Sequence, residues 1–376
     1  MSIDLWGVTR EFPTLPLFTV FDESTAIFNK IVLSIFIVSL VSIMLFDTKA
    51  PLLILFTSLL YLLIEDQMRW QPWVYIYILI LLPFLFNIDK RQKLVFLRIL
   101  FIGIYIWSGI HKINPYFNDL IVESFAVDFF KIKNLEVISI LKSNGAVIPI
   151  FEITCGLLLL FATTRKLAVL GILSMHIFIF IYLSPLVMMG NYIVLPWNIF
   201  MILAVYLLFY NESEKIIFSY SIYKKAKIFY SILIFVLCIP SLNHIKLWDT
   251  YASFSLYSGN ASNFYILSQK SIPKLTKYEI LNEQLLEGKI IDIGKWSSDQ
   301  LNVPIPPERR LFNQVIAKLN KTQLKLSFLE TNSPLWKRKI LDTYSLKTEK
   351  EEKTWIKNLA PIVFKDSVTL GKIKKF

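Results

Sequence analysis

Apolar residues gather in eight runs along the chain: Ala26 to Phe46, Pro51 to Ile64, Pro72 to Ile88, Leu94 to Ile110, Ala146 to Phe161, Leu167 to Leu186, Tyr192 to Tyr210 and Ile228 to Leu242. Several stop at charged strings such as Asp47-Thr48-Lys49, Glu65-Asp66 and Asp89-Lys90-Arg91. The runs approach the roughly 20 residues needed to cross a hydrocarbon core about 30 Å thick. The pattern predicts a mainly α fold, a polytopic transmembrane bundle of about eight helices over residues 26–242. The second run is the shortest. Residues 1–25 are polar and mixed, with neither a basic opening nor a small-residue cleavage site, so the first run is expected to be a retained helix rather than a signal peptide.

The pattern changes near Asn243. Val303-Pro304-Ile305-Pro306-Pro307 must be extended, because proline blocks helix at itself and biases the residue before it. Tyr278 to Ile293 and Leu311 to Lys318 have the look of helix or strand, and Gln323 to Glu330 alternates apolar and polar as a half-buried strand does. Residues 243–376 are expected to form a C-terminal extramembrane α+β domain, with a disordered tail at Lys372 to Phe376. Between the fourth and fifth runs, the segment from Lys112 to Gly145 suits a short amphipathic helix at the interface or capping the bundle.

Composition agrees: the 376 residues are 55% hydrophobic and only 18% charged, where soluble domains carry about 25% charge. The short loops carry their basic residues on alternate sides: Lys90, Arg91 and Lys93; Arg165 and Lys166; Lys215, Lys224, Lys225 and Lys227. By the positive-inside rule these loops face the cytoplasm. The expected location is the cell inner membrane, with residues 1–25 and both termini extracytoplasmic. Residues 243–376 hold 22 Lys+Arg against 13 Asp+Glu, a net +9 of the chain's +12. That excess suits anionic headgroups or an acidic partner, and equally ordinary solubilising lysine. Nucleic acid is not an expected partner. Cys155 and Cys238 both lie in apolar runs and offer no disulfide framework or cysteine metal cluster.

Polar side chains at membrane depth are costly and default to functional hypotheses. Tyr105-Ile106-Trp107-Ser108-Gly109-Ile110-His111-Lys112 ends the fourth run. Lys112 there is either a partly desolvated general base or a snorkelling lysine, with His111 beside it. Glu152 needs a partner inside its helix, and His111 or Lys112 has the right depth, whereas Arg98 belongs to the other face; the pair is structural or catalytic. His176 is an interhelical hydrogen-bonding residue or a ligand, though three histidines in the chain make a weak metal case and no metal is expected. Asn191 and Pro196-Trp197-Asn198 open the seventh run, Trp197 as an interfacial anchor and Asn198 as an amide that must be satisfied. By topology these groups converge on the outer half of the bundle, which predicts a polar cavity open outwards.

These residues resemble the horizontally transferred transmembrane (HTTM) superfamily, which includes the vitamin K-dependent gamma-carboxylase. The similarity lies in Tyr105…Gly109-Ile110-His111-Lys112-Ile113-Asn114, in Glu152…Gly156 with the leucine run to Thr164-Arg165, and in His176…Pro196-Trp197, with a looser echo in Trp248…Ser258. It covers roughly residues 90–210. A family of small redox-associated membrane proteins (DoxX-like) shares the Gly…Lys step. The resemblance implies Lys112 as the base that deprotonates a reduced, vitamin K-like quinone. It further implies His111, His176 and Glu152 in the catalytic set, Tyr105, Trp107, Trp197 and Asn198 around the cofactor, and an exported polypeptide modified at glutamate. His111 stands where the carboxylase has a second lysine, and the chain is about half as long. Two other readings stand beside it: a non-catalytic membrane subunit or maturation factor that holds its extracytoplasmic domain against a partner, and a transporter, for which no paired broken helices are visible.

Overall fold

A computed structural model describes residues 3–7, 10–23, 26–46, 48–187, 193–211, 227–245, 247–255, 257–258, 261–268, 271–280, 289–320, 326–332 and 339–345. Asn191, the lysines at 215, 224 and 225, and the tail 372–376 lie outside the described residues.

Each apolar run forms a helix. They are α1 (Ala26–Leu45), α2 (Lys49–Glu65), α3 (Pro72–Leu85), α4 (Lys90–Lys112), α6 (Val147–Leu158), α7 (Arg165–Leu183), α8 (Val194–Val205, continued by a wider turn over Tyr206–Tyr210) and α9 (Lys227–Cys238). Between α4 and α6 stands α5 (Leu135–Ser143). It is amphipathic as expected, but it runs on into α6 rather than standing apart. Four stretches are long and apolar enough to cross a membrane: Ala26–Leu45, Lys90–Lys112, Leu135–Leu158 and Arg165–Leu183; Pro72–Leu85, Val194–Tyr210 and Tyr230–Ile245 are shorter.

The bundle is apolar on both its inside and its outside. α4 is the central helix, its Phe96, Leu100, Phe101 and Tyr105 among the least exposed side chains of the main core, with Ile172, Val205 and Phe209. On the periphery, Ile27, Ile31, Val38, Val41 and Met44 of α1 and Leu167, Leu170 and Ile177 of α7 are exposed. So large an uncovered apolar surface is rare on a monomer in water, and it accompanies helices long and apolar enough to cross a membrane.

Local chemistry sets the limits of α4. Asp89 and Gln92 form a reciprocal capping box at its start, the Asp89 carboxylate accepting from Gln92 N–H at 2.8 Å. At its end, Asn114 precedes Pro115 and starts a new turn, its Oδ1 accepting from Phe117 N–H at 3.0 Å. Pairs of glycines then let α4 and α6 approach closely. A Cβ at Gly109 would stand 2.5 Å from Ile153 and 2.9 Å from the Pro149 carbonyl oxygen, and one at Gly156 would stand 3.1 Å from Tyr105 Cβ. Small residues at a helix crossing are the usual device for packing in lipid.

The second core belongs to the C-terminal part. Five antiparallel strands run in the order β2-β3-β1-β4-β5, with β1 (Asn263–Ser268) at the centre, β2 (Glu279–Ile280), β3 (Lys289–Asp292), β4 (Leu326–Asn332) and β5 (Lys339–Ser345). Helices α10 (Ile293–Leu301) and α11 (Arg309–Asn320) complete it. The α+β expectation and the strand near residue 326 are both observed. Along α11, Leu311, Phe312, Val315 and Ile316 are buried in this core. Arg310, Gln314 and Lys318, one turn apart on another face, reach the N-terminal segment and the α2–α3 loop.

The N-terminal segment contributes to this second core. Leu5, Phe12 and Leu15 are buried with Trp296, Leu301 and Phe312, and Phe12 lies 4.6 Å from the Trp296 ring. Gln300 Oε1 accepts from the Phe12 N–H at 2.6 Å, and Lys318 Nζ donates to the Thr14 carbonyl at 2.7 Å.

Candidate functional site

Helical phase divides the sequence-predicted residues of α4 into two sets. At about 100° per residue, Tyr105, Ser108, Gly109 and Lys112 share the face toward α6. Lys112 Nζ donates to Glu152 Oε2 at 2.7 Å and to Ser108 Oγ at 2.8 Å. The Lys112 side chain is 15% exposed and that of Glu152 5%. The carboxylate on α6 and the amine on α4 meet because the two glycines bring the helices together just beside them.

A second network begins two turns deeper on the same face. Tyr105 Oη lies 3.0 Å from His176 Nε2, and His176 Nδ1 lies 2.8 Å from Asn198 Oδ1. The orientation of Asn198 is settled by its Nδ2, which donates to the Val194 carbonyl at 2.9 Å. Asn198 Oδ1 must then accept, so Nδ1 of His176 carries a proton and donates, and Nε2 accepts from the tyrosine hydroxyl. This hydrogen-bonded chain joins α4, α7 and α8 through the centre of the bundle. Asn198 is thereby satisfied.

His111 and Trp107 face the other way. His111 stacks on His244 with ring centroids 4.8 Å apart, Trp107 lies 5.9 Å from His111, and the Trp107 indole N–H donates to the Leu237 carbonyl at 2.7 Å. Neither joins the Lys112–Glu152 pair. Trp197, expected at an interface, is 7% exposed and packs on Tyr77 and Phe200 inside the core. Arg98 is also buried, donating to the Leu208 carbonyl at 2.9 Å. Among the described residues no cluster of His, Cys, Asp and Glu is placed to hold a metal.

Among the described residues, Tyr105, His176 and Asn198 are packed against one another rather than set around a cavity. A cleft of about 190 Å³ lies instead where the bundle meets the C-terminal part, among Gln71, Trp73, Val194, Tyr251, Ser258 and Pro304. Asn114 ties it to the end of α4, its Nδ2 donating to the carbonyls of His111 and Ser258.

The sequence reading missed a second buried charge cluster. Glu65 accepts from Asn29 and from Arg69, the latter at 2.9 Å, while Arg69, fully buried, also donates to the Leu5 and Leu62 carbonyls. Asp66 pairs with Arg10 at 2.5 Å. The signal was present: Glu65, Asp66 and Arg69 end an apolar run within five positions. These groups fasten the N-terminal segment to the α2–α3 loop. Every one of them is used in holding backbone or another charge, so the cluster is structural.

No family model, curated protein or solved structure matches the chain.

Proposed function

We propose that the chain is an HTTM-like integral membrane enzyme of the cell inner membrane, whose eight helices α1–α4 and α6–α9 cross the bilayer. In this reading the Lys112–Glu152 pair is the proton-accepting site for a lipid-soluble reduced quinone. Several contacts support the topology. The N-terminal segment shares a core with β1 and α10, Gln71 donates to the Pro304 carbonyl at 3.1 Å, Asn114 donates to that of Ser258, and Ile193 packs on the same core. These contacts support a topology with the N-terminal segment, the α2–α3 loop, the end of α4 and the start of α8 on one side, as alternate crossings require. The basic loops at residues 90–93 and 165–166 fall on the other.

The observation that carries the catalytic reading is an ion pair 5% to 15% exposed at the rim of an apolar bundle. Such a pair is a poor stabiliser for its desolvation cost, which makes chemistry a reason to keep it. The residues fit a quinol: Lys112 is reachable at a helix end, and the neighbouring α6 surface presents exposed Ile150 and Phe151 to an apolar ring. When bound, a reduced quinone would supply an acidic hydroxyl and a ring that carries two electrons. Lys112 Nζ takes the proton while Glu152 receives the proton that the ammonium gives up. Ser108 aims Nζ, and the Tyr105–His176–Asn198 chain holds α4, α7 and α8 in register beneath it. Modification of glutamate in an exported polypeptide is the downstream step that the family resemblance adds.

Full-length protein in detergent, titrated with a short-chain menaquinol under air, should oxidise it, and Lys112→Ala should abolish the turnover while retaining the wild-type melting profile within a few degrees. Unchanged turnover in Lys112→Ala would overturn the assignment. It would favour the second reading, a non-catalytic subunit that presents its C-terminal domain to a protein partner, for which the rigid mounting of α11 on the α2–α3 loop is the supporting feature.

A further inference from the structure

The outward face of α1 carries a groove that shares no residue with the Lys112–Glu152 pair. It encloses about 580 Å³ and is walled by Ile27, Ile31, Ile35 and Val38 of α1 and by Pro51 and Ile54 of α2. The α1 positions recur every three or four residues, so they form one stripe along the helix. From Ile27 to Ser42 that stripe rises about 22 Å at roughly 1.5 Å per residue. Ile27, Ile31, Ile35, Val38 and Ile54 are between 44% and 73% exposed.

Three serines give the groove depth without making it polar. Ser34 and Ser42 donate to the Lys30 and Val38 carbonyls at 2.8 Å, and Ser39 donates to the Phe36 carbonyl at 2.8 Å. Each hydroxyl proton is thus spent inside α1. The capacity to bind something charged lies in Lys30, the one charged residue of α1, which lines the groove and is exposed. No acidic residue lines the groove, and among the described residues no carboxylate pairs with Lys30.

The placement of that cation decides the occupant. α1 is long and apolar enough to cross a membrane, and Asn29 donates to Glu65, so the start of α1 lies beside the end of α2. Lys30 therefore stands near the bilayer surface, one turn inside the helix, where an anionic headgroup can meet it. The remainder of the groove fits hydrocarbon: about 22 Å is enough for a chain that crosses one leaflet, half of a core about 30 Å thick. A second copy fits poorly. A two-fold axis along the bilayer normal would set both Lys30 side chains at the same depth, where like charges repel with little screening.

We infer that this groove binds an anionic phospholipid, its phosphate paired with Lys30 Nζ and one acyl chain laid along Ile31, Ile35, Val38 and Ile54. The inference rests on the reading of α1 as a bilayer crossing.

The test is native mass spectrometry of the full-length protein in non-ionic detergent, titrated with phosphatidylglycerol and with phosphatidylcholine of the same chains. Wild type should hold phosphatidylglycerol at least about tenfold more tightly. Lys30→Gln should bring it down to the level of phosphatidylcholine, whereas Lys49→Gln, at the opposite end of the crossing, should keep the preference. Ser34→Phe, which fills the groove, should weaken both lipids with the melting temperature preserved. Lys112→Ala should bind like wild type, so that loss of the quinol-oxidising site and loss of this one are told apart. Equal retention of the two lipids by wild type, or an undiminished preference in Lys30→Gln, would overturn the site alone. Retention of neither lipid by wild type would overturn the bilayer reading with it. A dimer that Ser34→Phe dissolves would give the face to a second copy instead.

Discussion

Lys112 Nζ and Glu152 Oε2 stand 2.7 Å apart across a gap of 40 residues, with both side chains largely withdrawn from solvent. The sequence offers Glu152 two partners, His111 and Lys112, one residue apart. Helical phase chooses between them: a step of about 100° turns Lys112 toward α6 and His111 toward His244.

Breaking this pair from one side should cost more than removing it. Lys112→Met leaves a carboxylate 5% exposed without its cation, and the expected loss is about 3–5 kcal/mol. Lys112→Met combined with Glu152→Leu should recover most of it. Thermal unfolding of the three proteins in detergent measures the coupling. Additive single losses would show that the two groups act independently.

The two glycines of the α4–α6 crossing should differ in their response to alanine. At Gly109 a Cβ would stand 2.9 Å from a backbone oxygen and 2.5 Å from Ile153, so the helices must part, at about 1–3 kcal/mol. At Gly156 the nearest contact is 3.1 Å, and a gain in helix propensity of up to about 1 kcal/mol offsets it. Gly109→Ala should therefore lower the melting temperature and the quinol turnover together, while Gly156→Ala stays near wild type.

The junction of the C-terminal part with residues 249–250 should respond to pH. Burial, with the nearby Asp249 carboxylate, pushes Glu308 up to about 7, although its carboxylate accepts the Thr250 N–H at 2.7 Å. A folded-state value above the unfolded value of about 4.3 means that the folded protein binds more protons between the two. Stability contributed by this group is thus fully present below about pH 4.3 and is lost as pH rises through 7. Glu308→Gln should flatten the dependence of protease resistance on pH between 6 and 8 and raise resistance at pH 8. An unchanged pH profile in that variant would assign the dependence elsewhere.

The helices were legible because a long apolar run favours the one structure in which every backbone group is satisfied inside its own segment. Lys112, Glu152, His176 and Asn198 were legible for a related reason, since polar residues stand out in such runs. What failed was direction. Trp107 and His111 were grouped with Lys112 by adjacency in sequence, although positions 107 and 111 project away from 105, 108 and 112. The place of the cleft was not legible either. It is built from segments far apart in the chain, among them Gln71, Val194, Tyr251, Ser258 and Pro304, whose meeting depends on tertiary packing and leaves no periodic trace. The same holds for Phe12 against Trp296, a contact between a mixed segment and a helix 284 positions later.

That last contact sets a timetable for biogenesis. Phe12 emerges from the ribosome long before Gln300, its hydrogen-bond partner 288 residues downstream. At about 5–20 residues per second, synthesis of the intervening chain takes roughly 15–60 s. Throughout that interval Leu5, Phe12 and Leu15 lack the surface they will finally cover, and the C-terminal core lacks the side chains that complete it. The last part of the protein to be made cannot be finished without the first, so a chain truncated anywhere before α11 leaves both ends with exposed apolar residues for quality control to find.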